Sequence, residues 1–205
     1  MLWPRGYTQD LYAYYESNKT KGFHDAENRY VKAIDSNSGQ IVAVSEWTFA
    51  LDVGKQANKD AVDPYGQPPD NWPINGNWEL RRFFERNTEK WVEQHLSGKP
   101  YISRSLHPPM EMHADTLLVL NILVTHPDFQ HRGVATKLLN WGVEQADRLG
   151  VVMALESTPA GLEMYKRVGF REVDVIKADM KRFGWNEPYD QEAAKRVWMI
   201  RQLVT

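Results

Sequence analysis

The residues with the clearest capacity for chemistry lie in a short stretch from Gln130 to Thr136, between an apolar run and an amphipathic segment. The pattern predicts a strand, a turn and the start of a helix. Backbone N–H groups in the first turn of a helix lack intrahelical partners and lie at the positive end of the helix dipole, so they suit a diphosphate. Gly133 and Ala135 keep bulky side chains away from such a ligand. Small residues in this kind of turn also serve packing alone, so the stretch by itself is a weak signal.

The elements that must position this loop alternate along the chain. Residues 116–124 form a nearly continuous apolar run, typical of a strand buried on both faces, and Asn121 is its only amide. Residues 133–149 place apolar side chains along one helical face and end at Gly150, a suitable C-cap. The sequence then predicts a strand at 151–156, a helix at 159–168, and strands at 170–176 and 197–204.

The first half of the chain predicts a second set of elements. A short helix at 7–17 precedes two strands, at 28–34 and 40–51, which are joined by a turn and read as a hairpin. Residues 52–77 are predicted to form a long, proline-rich surface loop. This loop is either a functional lid or an insertion without a role in function. A helix at 78–96 follows.

Composition narrows the classes of protein. With 205 residues, 42% of them hydrophobic, the chain suits one core, and we expect a single domain at 1–205. The 25 basic and 27 acidic residues argue against nucleic acid as a partner, and no apolar run approaches the ~18 residues of a membrane span. Cysteine is absent, which excludes disulfides and thiolate zinc sites. We therefore expect a soluble, cytoplasmic protein with no membrane partner.

The loop resembles the coenzyme A loop of the GNAT superfamily of N-acetyltransferases, which reads Arg or Gln, two residues, Gly, one residue, and Gly or Ala. Gln130, Gly133 and Ala135 match this pattern. Three further elements follow in the family's order: the buried strand before the loop, the strand that ends at Ser157, and the block at 161–170. Several ordered motifs together are fairly specific.

The resemblance implies an α/β fold in which helices flank both faces of a mixed central β-sheet, with a long loop insertion at about 52–77. The cofactor-binding core would span about 116–176, and the hairpin at 28–51 matches more loosely. Family members ordinarily begin with a strand and helix before the hairpin. Here that region is expected to be shortened, because the hairpin begins near residue 28.

The resemblance also implies acetyl-CoA or coenzyme A as cofactor and names its contacts. The backbone of the strand end would pair with the pantetheine arm, and the amides of the loop would hold the pyrophosphate, with Arg132 as an electrostatic clamp. The cofactor-binding residues expected on this basis are Leu123, Val124, Thr125, Gln130, His131, Arg132, Gly133, Val134, Ala135, Thr136 and Ser157.

The implied reaction is direct attack of a neutral amine on the thioester. Tyr165 matches the tyrosine that protonates the departing thiolate in many members; its alternative is a core tyrosine on an amphipathic helix. A base must deprotonate the amine, and we choose Glu156 at the end of a central strand as the catalytic candidate. Glu46, His113 and Asp115 are the other candidates. Residues 111–115 could suggest a metal site, but no further ligand at suitable spacing supports one, so no metal is expected.

Other readings of the same residues stay open. A coenzyme A-binding sensor or interaction module without turnover is the alternative to the enzyme, whereas an ATP- or NAD-binding protein is opposed by the missing glycine-rich fingerprints. The acceptor could be a small-molecule amine or a peptide amine, and a homodimer is an alternative to a monomer. Aromatic residues that flank the proline-rich loop could line the acceptor pocket: Trp47, Tyr65, Trp72 and Trp78.

Overall fold

The computed structural model describes residues 8–50, 66–95, 117–192 and 194–202. The helices in these ranges are α1 (Gln9–Phe23), α2 (Trp78–His95), α3 (Val134–Leu149) and α4 (Leu162–Arg167). The strands are β1 (Asn28–Ile34), β2 (Ile41–Ala50), β3 (Leu117–Thr125), β4 (Val152–Ser157), β5 (Arg171–Lys177) and β6 (Lys195–Arg201). Short 3₁₀ turns occur at Pro127–Phe129, Pro159–Gly161 and Met180–Phe183. The predicted alternation of strands and helices is confirmed.

The strands within the described ranges form one mixed sheet in the order β1-β2-β3-β4-β6-β5. β3 and β4 are parallel and lie at the centre, and the other neighbouring pairs are antiparallel. The parallel pair is joined through α3, as a crossover connection requires. The expected α/β fold with a mixed sheet is therefore correct.

Helices pack on both faces of this sheet. On one face, which we call the α3 face, Trp47, Leu120 and Leu155 pack with Leu139 of α3 and Tyr165 of α4. On the opposite face, the α2 face, the strands bury a second set of side chains against α2: Leu117, Val152, Ala154, Trp198 and Ile200 around Trp91. Because side chains alternate along a strand, residues 153, 155 and 157 of β4 belong to the α3 face and residues 152, 154 and 156 to the α2 face.

Helix α1 is longer than its sequence suggests. The prediction that it ends at residue 17 was wrong, because the helix continues to Phe23. Two contacts from its last turns explain the extension: Lys19 Nζ forms an ion pair with Glu46 of β2, and Gly22 O accepts a hydrogen bond from Asn28 of β1. Tertiary contacts of this kind outweigh the weak helix propensity of a polar stretch.

Several predicted elements extend beyond the described residues, and the largest missing part belongs to the loop insertion. The loop insertion is described from residue 66 onward, where turns lead to Asn77, whose side chain accepts the N–H of Leu80 at 3.0 Å and caps α2. The last strand begins at Lys195, two residues before its predicted start, and ends at Arg201. The assignment of the whole chain to a single domain stays a prediction.

The helix that starts at the candidate loop is fixed to the sheet at its centre and at its C-terminal end. At its centre Gly142 lies against Trp47, which is fully buried. At its C-terminal end Asp147 accepts two hydrogen bonds from the buried guanidinium of Arg201, at 2.7 and 3.0 Å. The same guanidinium donates to Val168 O at 3.0 Å, where α4 ends. A bidentate pair of this kind holds α3 and α4 in one orientation relative to β6.

We predict that Gly142→Ala destabilises the protein. A Cβ at this position would lie 2.1 Å from the Trp47 ring, so the indole or the helix must shift. Overpacking costs about 1–3 kcal/mol, which outweighs the gain of about 1 kcal/mol that alanine has over glycine in a helix. Urea unfolding measures the difference. Asn140→Ala, at an exposed position of the same helix, is the control and should not destabilise. A more stable Gly142→Ala protein would show that this contact is not tight.

Candidate active site

The central strands part in the middle of the sheet. β3 pairs with β4 only from Leu117 to Leu120, opposite Val152 to Leu155. At the same level the register between β2 and β3 shifts between Glu46 and Trp47, so Asn121 is an extra, bulged residue on β3. Beyond this point β3 stays with β2 and β4 stays with β6. A gap therefore opens between two parallel strands.

The parting leaves peptide groups of β3 free on its open side. The N–H of His126 donates to Val42 O at 2.8 Å, which marks a hydrogen-bonded pair with β2. Because such pairs alternate along an antiparallel ladder, Val124 also turns its peptide groups toward β2, whereas Leu123 and Thr125 turn theirs toward the gap. Of the three backbone positions expected to contact a cofactor, Leu123 and Thr125 therefore offer hydrogen bonds, and Val124 exposes only its side chain.

The turn after β3 exposes a continuous row of amides. His131 has φ of +58° and Gly133 has φ of +75°, and φ of the intervening Arg132 is not positive. Alternating signs of φ make neighbouring N–H groups converge on a concave anion site. None of the N–H groups from His131 to Thr136 donates to a backbone carbonyl within the described ranges, and the first helical bond is Lys137 N–H to Gly133 O at 3.1 Å. The loop leaves these donors available to a ligand.

The side chains of the loop brace it and add positive charge. Gln130 Nε2 donates to Thr125 O at 3.3 Å and so ties the loop to the end of β3. Arg132 is exposed and stacks on Phe129, with its guanidinium carbon 5.0 Å from the ring centroid. Thr125 Oγ1 is buried and has no hydrogen-bond partner among the described residues. The cofactor residues expected from the sequence, Ser157 excepted, thus lie together along one path from the gap to the N-terminus of α3.

Tyr165 and Ser157 lie on the α3 face of the parting strands. A Cβ on Gly161 would lie 2.8 Å from the Tyr165 ring and 2.9 Å from Ser157 Oγ, so the three residues are neighbours. Ser157 Oγ donates to Thr158 O at 2.7 Å. The hydroxyl of Tyr165 makes no hydrogen bond within the described part of the chain, and burial raises its pKa above the ordinary value of 10.0. A hydroxyl with a raised pKa stays protonated at neutral pH and can donate.

Glu156 lies on the opposite, α2 face. It follows Leu155, the last residue of β4 that pairs with β3, and its carboxylate lies 3.2 Å from Arg196 Nε of β6. Burial raises the pKa of Glu156 above its ordinary value, and the charges of Arg196 and Arg81 oppose this effect. A raised pKa brings a carboxylate closer to the working range of a general base.

Of the other base candidates, the structure describes only Glu46, whose ion pair makes it less suited to proton transfer. Glu46 is buried and its carboxylate is held by Lys19 Nζ at 2.5 Å. His113 and Asp115 lie outside the described residues. In the ranges that the structure describes, no group of three or more His, Cys, Asp or Glu residues could hold a metal ion.

The aromatic residues proposed for the acceptor pocket divide into two groups. Trp47 was assigned wrongly, because it is 0% exposed and packs in the α3-face core. Trp72 and Trp78 do meet, with ring centroids 4.9 Å apart, and Tyr14 of α1 packs edge-on against Trp72 at 5.2 Å. Tyr65 lies outside the described residues. The aromatic cluster therefore joins α1 to the start of α2.

Sequence reasoning missed a polar group on the α2 face. Asn121, Thr48 and Asn28 form a line of side-chain hydrogen bonds across three strands. The one available signal was an amide in an otherwise apolar strand, Asn121. The register that brings its partners together is not visible in the sequence.

These features define an α/β protein whose parting parallel strands and helix N-terminus form one groove, and the free amides of that groove suit an extended, anionic ligand. Residues 105–172 match the family model described as the acetyltransferase (GNAT) domain. Over this third of the chain the sequence is similar to the GNAT superfamily of acetyltransferases.

Two curated relatives match part of the chain. An uncharacterized N-acetyltransferase of Methanocaldococcus jannaschii is 25% identical over 122 residues, which are 56% of this chain and 52% of the relative. A probable acyltransferase of Ajellomyces capsulatus is 38% identical over 52 residues, 24% of this chain and 38% of the relative. The chain thus spans about half or less of the curated relatives it matches.

The fold is shared with insect enzymes of known structure. A mosquito arylalkylamine N-acetyltransferase like 5b superposes with a TM-score of 0.60 at 16% identity, covering 98% of this chain and 85% of that one. Arylalkylamine N-acetyltransferase 2 of Aedes aegypti gives 0.59 at 15% identity, with 94% and 80% covered. Identities this low show the fold alone.

No helix in the described ranges is long and apolar enough to cross a membrane.

Proposed function

We propose that this chain transfers acetyl from acetyl-CoA to an amine by direct attack. The observation that supports this most strongly is the series of available peptide groups that runs from Leu123 and the N–H of Thr125 in the gap to the amides of His131 to Thr136. A pantetheine arm contains amides that can pair with a free strand edge, and a diphosphate suits a helix N-terminus. The residues present therefore fit coenzyme A.

Acetyl-CoA would supply an activated thioester, and the residues around the gap would manage two protons. Glu156 would take a proton from the attacking amine on the α2 face, directly or through water. Tyr165 would give a proton to the departing sulfur on the α3 face, and its raised pKa keeps the hydroxyl protonated at neutral pH and so available for this step. The two groups would thus act from opposite faces of the sheet. The acceptor is a small-molecule amine or a peptide amine on this proposal, and homodimer formation stays a prediction.

Calorimetric titration tests the proposal. We expect acetyl-CoA and coenzyme A to bind and ATP and NAD not to bind, because only the former pair combines a diphosphate with a pantetheine arm. Release of free thiol during incubation with amines then separates an enzyme from a binding module. Binding without turnover of any amine would favour the non-catalytic module, and absence of binding would reject both.

We predict that Glu156→Gln reduces kcat by at least about tenfold, because general-base catalysis typically contributes more than this. In the wild type, activity should rise with pH as the carboxyl of raised pKa loses its proton, and this limb of the pH profile should disappear in the variant. Rates measured from pH 5 to 9 provide the check. An unchanged profile would assign the base to another group.

We also predict how the stability of Glu156→Gln, compared with the wild type, changes with pH. Because the folded pKa of Glu156 is raised, the unfolded state ionises first, and the carboxyl costs stability as pH rises above the ordinary value of 4.5. The Tm of Glu156→Gln minus the Tm of the wild type should therefore increase from pH 4 to pH 8. Glu144→Gln, at an exposed position of α3, is the control and should show no such trend.

A further inference from the structure

A line of hydrogen bonds crosses three strands on the α2 face. Asn121 Nδ2 of β3 lies 2.6 Å from Thr48 Oγ1 of β2, and Thr48 Oγ1 lies 2.6 Å from Asn28 Oδ1 of β1. Asn28 Nδ2 in turn lies 3.2 Å from Gly22 O, near the end of α1. The line therefore connects a backbone carbonyl in α1 with the bulged residue at which the central strands part.

The direction of every bond in this line is determined by its first member. A carbonyl oxygen can only accept, so Asn28 must turn its NH₂ group to Gly22 and its oxygen to Thr48. The single hydroxyl proton of Thr48 then goes to Asn28, and Thr48 can only accept from Asn121. Asn121 must present its NH₂ group to Thr48, which leaves its oxygen, Oδ1, as an acceptor that no described residue uses.

This oxygen belongs to a residue at the centre of the candidate active site. Asn121 follows Leu120, and Glu156 follows Leu155, which together form the last pair between β3 and β4. Asn121 is exposed and bonds to Thr48, so its amide lies on the α2 face, as Glu156 does. The two residues thus flank the gap on the face where the proposed base lies.

We propose that Asn121 Oδ1 accepts an N–H of the attacking amine and that this contact is the one by which the site favours primary over secondary amines; this inference rests on the proposed acetyl transfer. On attack, the N–C bond forms and the thioester C–S bond breaks, one proton leaves nitrogen for the base, and the sulfur gains one proton. A primary amine has two N–H groups, one for the base and one for Asn121. A secondary amine has one, which the base removes, so Asn121 would face a methyl group instead.

The hydrogen bond should act mainly on kcat. Nitrogen becomes more positive as it attacks, so its remaining N–H becomes a stronger donor in the transition state than in bound substrate. The fixed amide also needs no reorientation when charge develops. Asn121 would touch the substrate, and Thr48 would be a positioning residue that acts through it.

The first test compares amines that differ by one methyl group. The probes are 2-phenylethylamine, putrescine and glycinamide, each beside its N-methyl derivative, with acetyl-CoA and the wild-type chain. We expect at least about tenfold lower kcat/KM for the N-methyl member of any pair that turns over, as for one lost hydrogen bond to a developing charge. Equal turnover within a pair overturns the inference and leaves acetyl transfer standing. Binding of acetyl-CoA with no turnover of any probe counts against the proposed function instead.

The second test breaks the line without touching Asn121. Thr48→Val removes the hydroxyl at nearly constant volume, and we expect kcat for the accepted primary amine to fall about tenfold with little change in acetyl-CoA affinity. Thr48→Ser keeps the hydroxyl and should restore the rate. Asn121→Leu, at an exposed position, provides a second variant and should remove the preference for primary amines. The inference is overturned if the kcat of Thr48→Ser is as low as that of Thr48→Val. It is also overturned if Asn121→Leu keeps the preference for primary amines.

Discussion

Gly133→Glu should abolish measurable binding of acetyl-CoA and coenzyme A while the protein stays folded. No atom lies within 4 Å of the Cβ position, so a glutamate side chain fits there without a clash. It would add a negative charge where the free amides of residues 131–136 converge, and the diphosphate would meet repulsion instead of attraction. We expect a loss of at least about 100-fold in affinity, equivalent to about 2.7 kcal/mol, by calorimetric titration.

Two controls separate charge from backbone strain. Gly133 has φ of +75°, so any side chain there also strains the backbone, by about 1 kcal/mol. Gly133→Gln has the same strain and size without the charge and should retain more affinity than the glutamate variant. Gly184→Glu, at φ of +78° and with equally open surroundings, adds the same strain and charge away from the site and should bind normally. Unchanged coenzyme A affinity in Gly133→Glu would remove the pyrophosphate assignment.

The sequence predicted the local conformation of the candidate loop well: a strand, a turn and the start of a helix. The stretch from Gln130 to Thr136 was recognisable because its defining features are neighbours in the chain: a strand end, one glycine and a helix start. The free amides follow from that local order, since any helix leaves its first N–H groups without partners. Gly133 has a positive φ, a conformation that only glycine adopts without strain, so the residue type fits its backbone conformation.

The remainder of the site depends on register, which the sequence does not display. The gap exists because β3 and β4 stop pairing at Leu120 and Leu155, residues that look like any others in an apolar run. The bulge that sets Asn121 apart shifts the register against Glu46 and Trp47, which lie more than seventy residues earlier. Long-range ion pairs, such as Lys19 with Glu46, also extended α1 beyond its predicted end. Sequence periodicity predicts where strands and helices form, but it does not show which residues of distant segments come into contact.

Tyr165→Phe should reduce kcat by about 100-fold, the lower range for loss of a general acid, with acetyl-CoA affinity nearly unchanged. The hydroxyl has no hydrogen-bond partner within the described ranges, so its removal leaves no buried group unsatisfied. The ring, which packs edge-on against Phe170 at a centroid distance of 5.9 Å, is retained. The variant should therefore keep the wild-type Tm, and steady-state kinetics with calorimetric titration and thermal unfolding measure the three quantities.

Tyr189→Phe is the matched control, because we expect it to change Tm and not kcat, whereas Tyr165→Phe should change kcat and not Tm. The Tyr189 hydroxyl accepts the N–H of Met180 at 3.3 Å and belongs to a cluster around α2 rather than to the gap. Its loss should lower Tm slightly and leave kcat unchanged, whereas Tyr165→Phe should do the opposite. If Tyr165→Phe lowers Tm and keeps full turnover, Tyr165 is a core tyrosine, and the departing sulfur must take its proton from water or another side chain. If both variants keep their turnover, the α3 face contributes packing alone, and the chemistry is confined to the face that carries Glu156 and Asn121.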